Sequence, residues 1–275
     1  MFVVATPLGN LEDITFRAVR VLGEAALVAA EDTRRTRKLL DHYGLKPRVI
    51  SYREQNHAKV LPRLLTALQD GLNVALVTDA GTPGVSDPGT LLVQEAARLG
   101  ATVTPAPGPS AVACALSVAG LPADSFVFAG FLPARKKARL DFLTGLRFEP
   151  RTLIFFEAPH RLKDSLADMR EILGRREAVL CREMTKLNEE FLRGTLADLS
   201  EEVTRRAKQV RGEATIIVAG SSSPGGQCLS KKELVEIIQG DERPTREIVA
   251  DLSQAAGLSR SELYRLVLEV TNKRK

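Results

Sequence analysis

Asp79-Ala80-Gly81-Thr82-Pro83-Gly84-Val85-Ser86-Asp87-Pro88-Gly89 follows the apolar run Val74-Ala75-Leu76-Val77 and precedes a helical pattern beginning near Thr90. Three glycines and two prolines in eleven residues continue neither a strand nor a helix, because Gly is entropically costly in both and Pro lacks the N–H that both ladders use. The run before it has no polar face, as expected of a strand buried on both sides of a parallel sheet. In open α/β sheets, ligands bind at the carboxyl ends of such strands. The stretch therefore predicts a binding loop in an α/β protein. The alternative is an elaborate strand-to-helix connection that holds no ligand.

The same grammar repeats on either side. Phe2-Val3-Val4-Ala5 is an apolar run stopped by Thr6-Pro7-Leu8-Gly9-Asn10, a second candidate site loop. A helix over about 15–22 leads to a strand over 26–30 that ends in Glu31-Asp32-Thr33-Arg34. Two acids and an arginine at a strand end suit polar site work, and Asp32 or Thr33 equally suits helix capping. Gly44 closes the next helix, and a strand over 48–50 ends in the polar hexamer Ser51-Tyr52-Arg53-Glu54-Gln55-Asn56. A helix over about 58–70 then reaches the organising loop. Beyond it come a helix over 90–99 capped by Gly100, a strand over 102–104, and Pro105-Ala106-Pro107-Gly108-Pro109-Ser110-Ala111. The small-residue helix over 112–119 that follows suits close approach of either a ligand or a packed neighbour. Repeated strand, loop and helix imply a mainly parallel sheet covered on both faces.

After Gly120-Leu121-Pro122 the pattern changes. Apolar runs at 126–130, 152–156, 178–181, 191–194 and 214–218 are only partly separated by helices, which predicts a mixed sheet. Ser221-Ser222-Ser223-Pro224-Gly225-Gly226-Gln227 has linker composition. Helical patterns follow at 231–238, 245–256 and 259–270, the last entered through a capping box of Ser259 and Glu262. Helix, Gly-containing turn and helix resembles a helix-turn-helix. The expected organisation is an α/β domain over 1–120 with a mainly parallel sheet, an α/β domain over 121–220 with a mixed sheet, a linker over 221–228 and a small helical domain over 229–275.

The chain has 275 residues, 44% hydrophobic and 27% charged, the content of an ordinary globular protein with room for these parts. Its net charge of +5 gathers in Arg34-Arg35-Thr36-Arg37-Lys38, Arg135-Lys136-Lys137-Ala138-Arg139 and Arg205-Arg206-Ala207-Lys208. One such cluster is usually a solvated helix face, whereas three favour a polyanionic partner. Cys114, Cys181 and Cys228 are widely spaced, which indicates neither a disulfide framework nor a zinc set and fits a reducing cytoplasm. No run has the length of a membrane span or the pattern of a secretory signal.

Neither G-x-G-x-x-G nor G-x-x-x-x-G-K-[ST] occurs, and prolines remove the N–H donors that a phosphate cradle uses. The loops suit a neutral or zwitterionic ligand held by main-chain groups with Thr6, Thr82, Ser86 and Ser110. Ala5-Thr6-Pro7-Leu8-Gly9-Asn10-Leu11-Glu12-Asp13-Ile14, Glu31-Asp32-Thr33-Arg34, Asp79 to Gly89, Pro107-Gly108-Pro109-Ser110-Ala111, Phe156-Glu157-Ala158-Pro159-His160-Arg161 and Arg182-Glu183-Met184-Thr185-Lys186 together resemble the ribosomal RNA small subunit methyltransferase I family. That family lies within the tetrapyrrole-methylase superfamily, and the resemblance runs from residue 1 to about 220. The terminal helices resemble an appendage that many members carry.

The resemblance implies S-adenosyl-L-methionine bound in a cleft between two α/β domains. It also implies 2′-O-methylation of a cytidine ribose in the decoding region of 16S rRNA, free or in the small ribosomal subunit. A cytoplasmic homodimer goes with it, and no metal is expected because the sequence offers no ligand cluster of His, Cys or Asp. By position, Pro7, Leu8, Gly81, Thr82, Pro83, Val85, Ser110 and Ala111 would hold the donor from the first domain, and Phe156, Leu187, Gly212, Glu213 and Ala214 from the second. RNA contacts would come from Arg34, Arg35, Arg135, Lys136, Lys137, Arg161 and Lys186. The chain departs from the family pattern where Arg35, Arg53 and Gln55 replace histidines, which leaves His160 as the histidine inside a motif.

Methyl transfer from a sulfonium is an in-line displacement that neutralises charge, so alignment and a dry cleft matter most. The acceptor hydroxyl must lose a proton to a carboxylate or imidazole within reach. Glu54, Asp79, Glu157 and His160 are the candidates, with pairing to Arg161 or helix capping as the alternative for Glu157 and His160. Two rival functions are a tetrapyrrole C-methyltransferase and a non-enzymatic RNA-binding assembly factor. The dispersed basic clusters and the terminal helices argue against the first, and donor binding would exclude the second.

Overall fold

In a computed structural model of the chain, the described residues are 1–87, 89–206, 212–221, 231–241, 243–252, 258 and 260–272. Strands β1 (Phe2–Val4), β2 (Leu27–Ala30), β3 (Arg48–Ser51), β4 (Val74–Val77) and β5 (Thr104–Ala106) form an all-parallel sheet in the order β3-β2-β4-β1-β5. Successive side chains point to opposite faces, so a strand without polar positions must be covered twice. Val4, Val28, Ala30, Ala75 and Val77 meet Ala18, Val21 and Leu22 of α1 (Phe16–Glu24) and Leu40 of α2 (Thr33–His42). The opposite parity, Leu27, Ala29, Val74 and Leu76, meets Leu64 and Ala67 of α3 (His57–Gln69) and Leu92 and Ala96 of α4 (Thr90–Arg98).

β5 corrects the expected strand at 102–104. It runs two residues later and contains Pro105, opposite Val3 of β1. An edge strand needs hydrogen bonds on one side only, so the missing N–H is tolerated there. Adjacent β1 and β4 send the chain in opposite directions, β1 toward β2 and β4 toward β5. This reversal opens the crevice in which α/β sheets bind ligands.

α5 (Ala111–Ala119) follows β5 and packs on the other sheet: Ala115 and Ala119 lie against Val179, Cys181 and Ile217. That sheet contains β6 (Phe126–Phe131), β7 (Thr152–Glu157), β8 (Glu177–Arg182), β9 (Glu190–Thr195) and β10 (Ala214–Val218) in the order β6-β7-β10-β8-β9. It is mixed, with β6 parallel to β7 and the other pairs antiparallel. Its second face is sealed by α6 (Lys136–Gly145), α7 (Leu162–Leu173) and α8 (Leu196–Arg205), through Leu143, Leu162, Leu166, Met169, Leu196 and Leu199. The small residues of α5 thus serve tight packing, and its amino end faces the ligand crevice.

α9 (Lys231–Gly240), α10 (Thr245–Leu252) and α11 (Arg260–Asn272) enclose a core of their own from Leu234, Ile238, Ile248, Val249, Leu263 and Val267. The chain is an α/β protein with one parallel sheet, one mixed sheet and a helical carboxyl-terminal part. The linker residues 222–228, the Ser259 cap, Lys208 and the basic residues at 273–275 lie outside the described residues. Among the described residues, no helix is long and apolar enough to cross a membrane.

Candidate active site

The register of β2 on β4, Ala30 opposite Val77, carries two polar pairs past the sheet's carboxyl edge. The Thr78 hydroxyl donates to Glu31 Oε2 at 3.0 Å, and the Asp32 N–H donates to Asp79 Oδ1 at 2.9 Å. The β1 loop is bound to the β4 loop by a two-way bridge, Thr6 N–H to Gly81 O at 2.9 Å and Gly81 N–H to Thr6 O at 3.0 Å. The β5 loop joins them through the Thr82 hydroxyl, which donates to Pro109 O at 3.1 Å. Gly81 takes φ +84° in this bridge, a region that favours glycine. Three loops from neighbouring strands thus become one rigid wall.

The second sheet supplies the facing wall. Phe156 and Glu157 end β7, and Glu213, Ala214 and Thr215 open β10 beside it. A register shift between Phe128 and Phe131 swings Phe131 onto Phe156, with ring centroids 5.5 Å apart. The cleft between the walls has a volume of about 400 Å³. Leu8, Val85, Ala111, Phe131, Phe156 and Pro159 make it largely apolar, while Glu31, Asp79, Asp87, Glu157 and Glu213 give it five acidic residues. Arg35 is the cation among its lining residues, 3.5 Å from Asp79. Burial first, then the charges of Glu31, Asp79 and Glu213, push the Asp87 carboxyl up to about 6, and a hydrogen bond with Thr78 opposes the rise.

A second cavity of about 620 Å³ opens at the ends of β2 and β3. It is polar, lined by Asp32, Arg34, Ser51, Arg53, Glu54, Gln55 and Asn56, and it shares Glu31 and Asp79 with the first. Its floor is shaped by hydrogen bonds from the Arg53 side chain to Glu31 O at 2.7 Å and from the Asn56 amide to Ser51 O at 3.1 Å. Asp32 is the N-cap of α2 and also binds the Arg34 side chain, which holds its carboxyl well below the usual range. The capping alternative therefore describes Asp32, and of the two acids Glu31 is the one that lines both cavities.

Of the expected donor residues, Leu8, Gly81, Thr82, Val85, Ser110, Ala111, Phe156, Glu213 and Ala214 converge on the first cavity. Pro7, Pro83, Leu187 and Gly212 do not line it. Pro7 and Pro83 are buried beneath the loops, while Leu187 is 99% exposed at the tip of the β8–β9 connection. Gly212 is required for another reason, since a Cβ there would strike the Glu183 carboxylate, which accepts from Glu213 N–H at 3.0 Å.

The four candidate acid–base residues separate. Asp79 borders both cavities and Glu54 the second, whereas His160 is exposed outside both. Glu157 borders the first, but its carboxylate is buried and committed to Arg161, the Ala158 N–H and the Ser165 hydroxyl. Among the basic residues, Arg34, Arg35, Arg135, Lys136 and Lys137 are exposed, while Arg161 is held by Glu157 and Lys186 by Glu183 and Glu213. Arg139, counted in a basic cluster, is buried on Asp168 at 2.6 Å and belongs to the fold.

Sequence reasoning did not single out Asp87 or Phe131. Gly130 inside a strand pattern was the usable signal for Phe131, because such a glycine marks a bulge. Asp87 had none, since a Gly- and Pro-rich loop has no periodicity from which to read the direction of a side chain.

The family Tetrapyrrole (Corrin/Porphyrin) Methylases matches residues 1–200. The ribosomal RNA small subunit methyltransferase I of Pseudomonas aeruginosa PAO1 is 45% identical over 272 residues, 98% of this chain and 96% of that protein. The protein of the same name from Thermotoga maritima is 46% identical over 220 residues, 80% of this chain and 98% of its own length. Among solved structures, uroporphyrin-III C-methyl transferase from Thermus thermophilus complexed with S-adenyl homocysteine superposes with a TM-score of 0.54 at 22% identity, covering 79% of this chain and 96% of that one. Diphthine synthase gives a TM-score of 0.61 at 17% identity, covering 79% and 88%. These structures share the fold of this chain. With the fold, the family description and near full-length relatives in agreement, the chain belongs to the ribosomal RNA small subunit methyltransferase I family of tetrapyrrole-methylase-type methyltransferases.

Proposed function

We propose that this protein transfers a methyl group from S-adenosylmethionine to small-subunit rRNA, and within it to the 2′-oxygen of a cytidine ribose in the decoding region. One observation carries the reading: an apolar cavity and a polar cavity meet at two shared carboxylates, Glu31 and Asp79. A donor in the first and a nucleotide in the second would be joined there.

The residues present fit the donor. Leu8, Val85, Phe131 and Phe156 offer apolar and aromatic surface for a purine, and the carboxylates of Glu31, Asp79, Asp87 and Glu213 complement a ligand with sulfonium and ammonium groups. Ser110 caps α5 without spending its side chain on the helix, so its hydroxyl is available to a ligand. Bound there, S-adenosylmethionine supplies a methyl group on a sulfonium that leaves as a neutral thioether. Asp79 takes the proton of the attacking hydroxyl, because it borders both cavities while Asp32 N–H and Arg35 hold it in place. Arg34 and Arg53, beside the second cavity, pair with RNA phosphate, and the exposed Arg135, Lys136 and Lys137 extend the contact. Sulfonium chemistry needs no Lewis acid, so full activity in excess chelator is expected.

The reading includes the division into domains over 1–120, 121–220 and 229–275, a cytoplasmic location and a homodimer. Phe16, 97% exposed, and Leu187, 99% exposed, are apolar surface that a second copy would cover, and sedimentation equilibrium tests this. The deciding experiment is mass spectrometry of rRNA nucleosides from a strain lacking the protein, with complementation by wild type and by Asp79→Asn. Loss of one 2′-O-methylcytidine, restored by wild type alone while Asp79→Asn still binds donor, supports the assignment. An unchanged nucleoside profile refutes it.

A further inference from the structure

The donor cavity concentrates negative charge to a degree that binding a purine does not require. Glu31, Asp79, Asp87, Glu157 and Glu213 all line it. Four have local compensation. Glu157 is held by Arg161 and the Ser165 hydroxyl. Asp79 has Arg35 at 3.5 Å and the Asp32 N–H, Glu213 has Lys186 at 3.2 Å, and Glu31 has the Thr78 hydroxyl at 3.0 Å. None of the ion pairs among the described residues includes Asp87; burial and the charges of Glu31, Asp79 and Glu213 push its carboxyl up to about 6, and the Thr78 hydroxyl opposes the rise. The site therefore offers an uncompensated carboxylate to an arriving cation, and holds a proton there only as pH falls toward 6.

Building on the donor assignment above, we propose that Asp87 makes the cavity a charge filter that separates the cationic methyl donor from its neutral thioether product. The donor carries a net charge of one, from sulfonium, ammonium and carboxylate. The product has lost the sulfonium charge and is a zwitterion. Asp87 stands as the counter-charge to the sulfonium, and near pH 6, where the empty site is partly protonated, donor binding drives the remaining proton to water. After transfer the sulfonium charge is gone, and product loses the attraction that held the donor. The upward-shifted carboxyl of Asp87 agrees with this coupling. The groups facing it are Glu31, Asp79 and Glu213 with Arg35 and Thr78, and Lys186 stands behind Glu213.

Calorimetric titration of the full chain with S-adenosylmethionine and, separately, S-adenosylhomocysteine at pH 5, 6 and 7.5 tests the proposal. A cation close to a carboxylate lowers its pKa by roughly 1–3, so donor affinity is expected to be about tenfold weaker at pH 5 than at pH 7.5. Product affinity should stay within about twofold over the same range. Repeating pH 6 in two buffers of different ionisation heat should reveal protons released by donor and none by product. Asp87→Asn should flatten the donor profile at its weak end. Thr78→Val, which keeps both acids and removes the shared hydroxyl, should move the midpoint upward. Equal slopes for the two ligands, or a slope that survives Asp87→Asn, would overturn the filter while leaving the donor site intact. If neither ligand binds at any pH, the methyl-donor assignment itself fails.

Discussion

Gly81 is the residue on which the three site loops turn. Its φ of +84° is accessible to glycine, and a Cβ built there lies 3.3 Å from Leu8 Cδ2 on the cavity wall. A β-branched side chain adds backbone strain and fills ligand space. Gly81→Val is expected to weaken donor binding at least tenfold with an unchanged circular dichroism spectrum; full affinity in a folded variant would remove this loop from the site. Asp87 makes a separate prediction about stability. Its folded value, about 6, is above the ordinary aspartate value of 3.8, so the unfolded chain releases this proton first. The acid therefore costs stability progressively as pH rises between those values, and the whole cost is present above the folded one. Asp87→Asn removes a charge and keeps the shape, so its melting temperature should exceed that of wild type at pH 7.5. The two should coincide near pH 4, where the native acid is neutral and little of the cost has yet developed. Thermal melts at the two pH values check the sign.

At the scale of elements, α6 and α7 are joined at Asp168, which meets the exposed Lys136 at 3.8 Å and the buried Arg139 more closely. Arg139 and Asp168 are each 5% exposed at the side chain and 2.6 Å apart, and Arg139 also donates to the carbonyls of Pro133 and Ala134 at 3.3 Å. Removing one partner strands a buried charge, which typically costs about 3–5 kcal/mol. Arg139→Met should lower unfolding free energy by roughly this amount in a urea titration, and the folded fraction should keep wild-type RNA affinity. Reduced RNA affinity without loss of stability would return Arg139 to the polyanion-binding cluster. The sequence could not distinguish the two roles, because the pattern Arg135 to Arg139 says that charges are near one another and not which one meets an acid 29 positions away. Strands were readable for the opposite reason. Val74–Val77 and Ala214–Val218 have no polar residue to expose or only one, and that composition has few folded solutions. Legibility stopped at Pro105, where an edge strand tolerates what a central strand does not. The site was readable as a set of loops, because Gly and Pro mark where strands end. Which acids face inward was not, since Glu31, Asp32, Asp79 and Asp87 are sorted only by the pairing of β2 with β4 and by the helix that Asp32 caps.

At the scale of the whole molecule, the terminal helices stand apart from the site. α11 packs on α9 and α10, and their shared core draws on residues from 234 to 270. The upstream body finishes with the Ser221 N–H donating to Glu149 O at 2.7 Å. The Thermotoga maritima relative aligns over 98% of its length with only 220 residues here, so a relative of the same name exists without a counterpart for about a fifth of this chain. From residue 221 onward there are nine Lys and Arg against eight Asp and Glu, which gives a weak net field. Any RNA binding must then come from charges segregated by face, such as the exposed Lys232, Arg246 and Arg265. A chain ending at Ser221 should bind donor with unchanged affinity and retain the pH dependence set by Asp87. If the helices touch RNA, the same truncation should raise KM for RNA. It should also flatten the slope of log affinity against log salt by about 0.7 for each single-strand phosphate that is no longer neutralised. Binding curves for the two proteins across a salt series decide the matter: superimposable lines would make the helices a packing appendage, and a shallower line for the shorter chain would make them part of the substrate-binding surface.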